Sequence, residues 1–175
     1  MSNLKTKTLI KKIFSLLSVV RGYNILVLIA AQYLAAIFIF SDQKSLKLVL
    51  FDWHLLYLVI ATATTIAAGY IINNFYDKKS DKVNRPIKTG IDSYIKQETK
   101  LSLYFSLNFI GFSFGFLVSW KAAFFFAIYI FSIWFYSHKL KKYPFIGLLS
   151  ATTLTILPFF VIFLYLANIL FSFVC

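Results

Sequence analysis

Long apolar segments alternate with short polar ones along most of this 175-residue sequence. Five of the apolar segments approach or exceed the roughly 17–25 residues with which a helix crosses a bilayer. The pattern therefore predicts an all-α fold, a polytopic transmembrane helix bundle of about five spans in a single domain that covers residues 1–175. The predicted spans cover residues 16–40, 53–76, 101–119, 122–137 and 145–170.

The basic residues predict how this bundle is oriented. All but three of the 18 lysine and arginine residues lie before residue 22, between residues 78 and 100, or between residues 139 and 142. Because cytoplasmic loops carry the excess of lysine and arginine, these three segments, and with them the amino terminus, are expected on the cytoplasmic side. The same rule accounts for the net charge of +12 without nucleic-acid binding. We expect a multi-pass integral protein of a bacterial inner membrane.

The end of the second predicted span carries two carboxylates at a helical spacing. Asn73, Asp77 and Asp81 lie at i, i+4 and i+8, so on a continuous helix their side chains share one face. A rise of about 1.5 Å per residue separates the two carboxylates by roughly 6 Å along the axis. This distance suits a hard divalent cation such as Mg²⁺, which needs few carboxylates when water and substrate phosphates supply the other ligands. Pro86 predicts the end of this helix.

Residues 73–90 resemble the first aspartate-rich motif of the UbiA-type prenyltransferases, intramembrane enzymes that join a polyprenyl chain to a lipid-soluble acceptor. The shared features are Asn-x-x-x-Asp-x-x-x-Asp at the end of a second span and Asn-Arg-Pro close behind it. Spacing alone is equally typical of an ordinary charged helix end, and the position and the following residues favour the motif. Where the family usually has a second-position Asp, this chain has Asn74, which removes one negative charge but keeps a carbonyl ligand. The resemblance implies that Asp77 and Asp81 are catalytic. It also implies a Mg²⁺ cofactor held by Asn73, Asn74, Asp77 and Asp81.

The resemblance further implies a group of residues that bind the diphosphate of a prenyl donor. Arginine holds phosphate oxygens in a bidentate manner and lysine holds them as a point charge. A second polar turn, residues 136–144, resembles the family's Tyr-Ser-x-x-Leu-Lys turn, whose tyrosine and basic residues lie over the diphosphate, although the positive-inside rule would explain the same lysines. The predicted diphosphate-binding residues are Asn73, Arg85, Lys88, Tyr136, Lys139, Lys141, Arg21 and Asn24.

Arg21 and Asn24 interrupt the first apolar segment near its basic end. Ionisable residues inside spans are costly and tend to be functional, and UbiA-type enzymes carry similar polar residues here. The alternative is that Arg21 extends its guanidinium to the lipid headgroups. Both interpretations stay open. A signal peptide fits less well, because the apolar segment continues to Phe40 and exceeds a typical signal-peptide core.

The resemblance also implies a reaction and a fold. A UbiA-type enzyme uses Mg²⁺ to transfer a polyprenyl group from a prenyl diphosphate to a hydrophobic acceptor such as an aromatic quinone precursor. Such enzymes have about nine transmembrane helices and two aspartate-rich motifs, and this chain resembles the first half of that fold, with one motif. We therefore expect a truncated prenyltransferase domain whose turnover alone is low, completed by another subunit or by a carboxyl-terminal half.

Three other functions fit parts of the pattern. The first is a non-catalytic, half-length membrane protein that binds a lipid diphosphate or pairs with another subunit. The second is a CDP-alcohol phosphotransferase, which also sets aspartates four apart, but its Asp-Gly start and upstream Ala-Arg pair do not occur here. The third is a transporter fragment, which is disfavoured because the polar residues lie at the predicted membrane surface and not at its midplane.

Overall fold

The computed structural model describes residues 2–40 and 46–167, with side chains described from residue 10 onward. Within these residues the chain forms eight α-helices and no strand, which confirms the predicted all-α bundle. The π-helical turn Ala36–Phe40 extends the second helix, and the 3₁₀ turn Leu140–Lys142 joins the last two. The helices are α1 (Ser2–Val19), α2 (Gly22–Ala35), α3 (Leu46–Leu50), α4 (Trp53–Asn84), α5 (Pro86–Asp92), α6 (Gln97–Val118), α7 (Trp120–His138) and α8 (Pro144–Leu166).

Five helical stretches in the described part of the chain are long and apolar enough to cross a membrane, as the hydrophobic pattern predicts. The second stretch continues eight residues beyond its predicted end at residue 76, because α4 runs without interruption to Asn84. The predicted residues 168–170 of the last span lie outside the described residues. The five stretches are Gly22–Phe40, Trp53–Asn84, Gln97–Val118, Trp120–Lys142 and Pro144–Leu166.

The prediction of one continuous helix over residues 16–40 is wrong, because the chain breaks at Arg21. This residue has φ 51° and ψ 55°, the left-handed conformation that ends α1 and allows α2 to start in a new direction. For a residue other than glycine this conformation costs about 1–2 kcal/mol. The guanidinium of Arg21 lies over the ring of Tyr70, 4.9 Å from its centroid, and this cation–π contact offsets part of the cost. The first membrane-spanning stretch therefore starts at Gly22.

The helix before this break packs against α5. Lys11 of α1 lies over the ring of Tyr94, with 5.5 Å between Nζ and the ring centroid, and Ser18 donates a hydrogen bond to Asp92. The opposite side of α1 exposes apolar side chains at i, i+3, i+4 and i+7, the spacing of one helix face. With this amphipathic face, α1 has the properties of a helix that lies along the membrane surface. The exposed apolar residues of α1 are Ile10, Ile13, Phe14 and Leu17.

The centre of the bundle is α4, whose small side chains allow its neighbours to approach closely. Gly111 of α6 faces this surface, and a Cβ added there would lie 2.5 Å from Thr65 Oγ1 and 3.1 Å from the carbonyl oxygen of Ala61. Small residues at helix interfaces are the usual means of close packing in membranes. The packed helix α4 thus continues directly into the polar residues of the motif. The buried small residues of α4 are Ala61, Thr62, Ala63, Thr65, Ala67, Ala68 and Gly69.

α8 continues through Pro158, where the proline removes a backbone hydrogen-bond donor. The carbonyl group of Leu154, four residues earlier, would otherwise accept that bond. Instead it accepts a hydrogen bond from the hydroxyl of Tyr129 on α7, at 3.1 Å. The amide of Gln32 on α2 donates to the carbonyl oxygen of Pro158 at 2.9 Å. Side chains from two other helices thus satisfy the polar backbone around the proline, as a hydrocarbon environment requires.

Candidate active site

The fourth helix carries the aspartate motif beyond the apolar part of the bundle. α4 has 32 residues, so it is about 48 Å long and exceeds the roughly 30 Å hydrocarbon core by several turns. Asp52 caps its start by accepting hydrogen bonds from backbone N–H groups of the first turn. Pro86 begins α5 directly after its end, since proline is tolerated at the first position of a helix. Asn73, Asp77 and Asp81 therefore lie on one continuous helix, at the end that we call the motif end.

Lys141 binds two residues of the motif from the turn between α7 and α8. Its Nζ donates to Asn73 Oδ1 at 3.1 Å and to Asp77 Oδ1 at 2.5 Å. The ion pair is sheltered, because the lysine side chain is 17% exposed and the Asp77 side chain is 30% exposed. The structure thus brings together three predicted site residues. Lys141 lies 68 positions after Asn73 and 64 positions after Asp77 in the sequence.

Three other predicted residues lie at the motif end without joining this contact. Asp81 is one helical turn beyond Asp77 and is half-buried, and its side chain makes no hydrogen bond or ion pair with residues that the structure describes. Arg85 is exposed and is attached through its backbone N–H, which donates to the carbonyl oxygen of Asp81 at 2.8 Å. Lys139 is also exposed. Their charged groups are thus accessible to a ligand at the motif end.

A cavity of about 590 Å³ lies between α2, α4, α7 and α8. Its polar lining includes four predicted diphosphate-binding residues, and much of the rest of its wall is apolar. Asn73 belongs both to this wall and to the contact with Lys141, so the cavity meets the motif at that residue. A compartment of this kind suits a ligand with one charged end and a long apolar chain. The four residues are Arg21, Asn24, Asn73 and Tyr136.

Tyr70 is a lining residue that the sequence reasoning missed. Its ring lies under the guanidinium of Arg21, and its hydroxyl accepts a hydrogen bond from Asn24 at 3.5 Å. Arg21 thus faces the cavity, which favours the substrate-binding interpretation over extension to the headgroups. The signal that would have found Tyr70 is its position three residues before Asn73, because residues at i and i+3 share a helix face.

Asn74 and Lys88 lie in a separate polar group, which we call the Asp92 cluster: Ser18, Asn74, Lys88, Asp92 and Lys100. Asp92 accepts hydrogen bonds from the Ser18 hydroxyl and the Asn74 amide, both at 2.8 Å, and its carboxylate lies 3.7 Å from the ammonium of Lys88. The carbonyl oxygen of Asn74 accepts a hydrogen bond from Lys100 at 2.9 Å. Asp92 and Lys100 are each only 3% exposed, so these charges depend on their partners. Asn74 therefore does not share a site with Asp77 in this structure.

The chain's similarity to known proteins places this arrangement in a family. The model of the UbiA prenyltransferase family matches residues 32–174, which include the motif, three of the four cavity helices (α4, α7 and α8) and the turn that carries Lys141. The chain belongs to the UbiA prenyltransferase family. The membership predicted from residues 73–90 is confirmed.

Curated relatives of this UbiA family member include several digeranylgeranylglyceryl phosphate synthases. That of Thermococcus gammatolerans is 31% identical over 101 residues, which are 58% of this chain and 36% of the relative. That of Pyrococcus horikoshii is 36% identical over 92 residues, 51% of this chain and 32% of the relative, and that of Saccharolobus solfataricus is 31% identical over 94 residues, 54% and 33%. The match thus spans about a third of the length of these relatives. No solved structure shows a significant match.

The side chains at the motif end of this UbiA family member fit a magnesium ion that is shared with a ligand. Asn73, Asp77 and Asp81 offer only oxygen donors, which Mg²⁺ prefers. Within the described residues there is no group of three or more His, Cys, Asp and Glu side chains that could hold a metal by themselves, so phosphates and water would supply the remaining ligands. Lys141 shows that the Asp77 carboxylate accepts a positive charge at this position.

Proposed function

We propose that this chain contributes to a membrane prenyltransferase that transfers a polyprenyl group from a prenyl diphosphate to a lipid-soluble acceptor. The observation that carries the proposal is the position of Asn73, which lines the apolar cavity and at the same time shares Lys141 with Asp77. A diphosphate at this junction would reach the charged residues while its prenyl chain enters the cavity. The high density of basic residues at this end supports a cytoplasmic site.

The charged residues around the junction would bind the diphosphate. Lys141 has three N–H donors, and two of them already point to Asn73 and Asp77, so the third is available for a phosphate oxygen. Arg21 lines the cavity and offers a planar pair of donors for bidentate contact. Magnesium held by Asp77 and Asp81 would supply the charge that stabilises the departing diphosphate.

The cavity would hold the prenyl chain and keep water from the reacting carbon. Much of its wall is formed by apolar side chains, so an alkyl chain would be bound there by the removal of apolar surface from water. Exclusion of water protects an allylic carbon with carbocation character from hydrolysis. The acceptor would have to be lipid-soluble to reach the same space. The apolar residues are Val27, Leu28, Ile66, Ile133, Leu154 and Phe159.

The acceptor that we favour carries a glyceryl phosphate group. The curated relatives are named as digeranylgeranylglyceryl phosphate synthases, which supports this class over the aromatic quinone precursor expected from the sequence. Because those relatives are about three times as long as the matched region, further ligands for a second metal ion would come from additional sequence or from a second chain. We accordingly expect low turnover from residues 1–175 alone.

The experiment is a paired measurement of binding and turnover on the purified chain in detergent. Geranylgeranyl diphosphate is expected to bind in the presence of Mg²⁺, and Asp77→Asn is expected to weaken binding by about tenfold or more. Lys82→Gln, an exposed substitution on the same helix, serves as the control with unchanged binding. If the chain binds no prenyl diphosphate, the proposal is wrong. Strong Mg²⁺-dependent release of diphosphate that Asp77→Ala abolishes would instead contradict only the expected low turnover.

A second candidate function is binding of a lipid diphosphate without transfer. The ion pair between Lys141 and Asp77 favours it, because the charge of this motif carboxylate is already neutralised. The same assay separates the two functions. Binding alone would be supported by two results together. Geranylgeranyl diphosphate would still bind after Mg²⁺ is removed, and no diphosphate would be released even after addition of the part of a curated relative that lies outside the matched region.

A further inference from the structure

A second, smaller cavity lies on another side of α4. Its volume is about 160 Å³, and it shares no lining residue with the large cavity. Its wall is formed by the motif end of α4, by α5 and the segment after it, and by the first turn of α6. The α4 residues that line it are Asn74 and Lys78, whereas Asn73 lines the large cavity. The two cavities thus lie around the same helix end but are separate sites.

The small cavity has an excess of positive charge. Lys78, Lys96 and Lys100 line it against one carboxylate, that of Asp92. This carboxylate is already compensated, because it accepts two hydrogen bonds and lies 3.7 Å from the ammonium of Lys88. Lys78 and Lys96 are exposed and have no ion pair with residues in the described ranges. The exposed ammonium groups of Lys78 and Lys96 therefore offer two uncompensated charges to a ligand, in addition to the buried charge of Lys100.

Lys100 is the buried component of this wall. It is only 3% exposed, and its ammonium makes one hydrogen bond within the described part of the chain, to Asn74 Oδ1. An ammonium has three N–H donors, so two of them have no hydrogen-bond acceptor among the described residues. Burial of such a charge is costly unless it is paired. A negatively charged oxygen in the cavity would supply the missing partners.

The start of α6 adds backbone donors to the same place. The residue before the helix, Lys96, makes no side-chain cap, so the first N–H groups of α6 have no capping acceptor among described residues. The positive end of the helix dipole also favours an anion there. Glu98 in the first turn is exposed and does not line the cavity.

We propose that this cavity binds a phosphate dianion, either a phosphomonoester headgroup of a membrane lipid or a small soluble phosphate. The two exposed charges of Lys78 and Lys96 match a dianion. Its ligands are these two ammonium groups, the buried ammonium of Lys100 and the N–H groups at the start of α6. The cavity is too small to hold a polyprenyl chain as well, so the bound group is a terminal phosphate. The inference does not depend on the prenyl transfer reaction.

The experiment measures thermal stabilisation of the full chain by inorganic phosphate at constant ionic strength, in nanodiscs of neutral phosphatidylcholine. Saturable stabilisation is expected for the native chain and for the control Lys82→Gln, which removes the same charge from an exposed position outside the cavity. Lys78→Gln and Lys96→Gln are each expected to weaken the apparent affinity by at least about fivefold, because each loses a charge-assisted hydrogen bond. Both residues are exposed, so neither substitution disturbs the core.

A second set of measurements, with phosphatidic acid in the nanodisc, identifies the source of the phosphate. If phosphatidic acid in the nanodisc abolishes further stabilisation by inorganic phosphate, the ligand is a lipid headgroup; if it has no effect, the ligand is a soluble phosphate. The proposal is refuted by the absence of saturation, or by equal weakening in Lys82→Gln and Lys96→Gln. Binding of geranylgeranyl diphosphate is measured on the same variants and is expected to be unchanged, so a negative result here leaves the prenyltransferase proposal intact.

Discussion

Replacement of Asp92 by asparagine tests whether the Asp92 cluster holds the motif end together. The carboxylate is 3% exposed, accepts hydrogen bonds from Ser18 and Asn74, and lies beside the ammonium of Lys88. Asparagine has one acceptor oxygen where aspartate has two, so one donor loses its partner. A lost hydrogen bond to a charged group costs about 1.5–3 kcal/mol, and the weakened ion pair adds about 0–1 kcal/mol. We therefore expect Asp92→Asn to lower the free energy of unfolding by about 1.5–4 kcal/mol.

The assay is thermal unfolding of the purified chain in detergent. For a protein of this size each kcal/mol of lost stability lowers Tm by about 2–4 °C, so Tm is expected to fall by roughly 3–16 °C. Glu98→Gln removes the same charge from an exposed position and is expected to cost less than about 1 kcal/mol. Adding Ser18→Ala to Asp92→Asn should cost less than the sum of the single changes, because both act on one hydrogen bond. Equal effects of Asp92→Asn and Glu98→Gln would refute the reasoning.

Three further substitutions test the active site and the packing around it. Lys141→Met removes the ammonium that joins two motif residues and is expected to weaken geranylgeranyl diphosphate binding by about tenfold. Lys142→Met, at an exposed position, should leave binding unchanged. Equal losses in the two variants would contradict the role of Lys141. Gly111→Ala is expected to destabilise the chain by about 1–3 kcal/mol in the thermal assay, while Gly90→Ala, with no atom within 4 Å of the added Cβ, serves as the neutral control. Tyr70→Leu is expected to weaken diphosphate binding about two- to fivefold by releasing the stacked guanidinium, and Tyr70→Phe should retain binding; a loss with phenylalanine as well would assign the effect to the hydroxyl.

The spans and the helical motif could be predicted because they depend on local sequence. Apolar segments of sufficient length predict the membrane helices, and the i, i+4 spacing predicts the shared face of Asp77 and Asp81. The break at Arg21 could not be predicted in the same way. A left-handed arginine is stable there because its guanidinium meets Tyr70, a residue 49 positions later on another helix. Contacts of this kind depend on tertiary packing, which no local pattern encodes.

The two polar groups at the motif end differ in the same respect. The contact of Lys141 with Asp77 joins two segments that each resemble family motifs, so both residues were predicted before their contact was known. Asp92 and Lys100 belong to no such motif, and they are brought together because Asn74 of α4 binds both of them. Burial of both charges in the structure is therefore the first sign of their role.

The bridge around Pro158 has a consequence for how this family member can change over evolution. As long as the proline is present, the hydroxyl of Tyr129 satisfies the carbonyl group of Leu154. If the proline is replaced, residue 158 regains a backbone N–H that can donate to the carbonyl group of Leu154. The buried hydroxyl of Tyr129 then competes with this N–H for the same acceptor. If the tyrosine changes first, a carbonyl group in hydrocarbon is left without a partner at a cost of about 1–3 kcal/mol. Descendants of this sequence should therefore keep or lose Pro158 and Tyr129 as a pair, which makes them a joint inherited character that links α7 to α8.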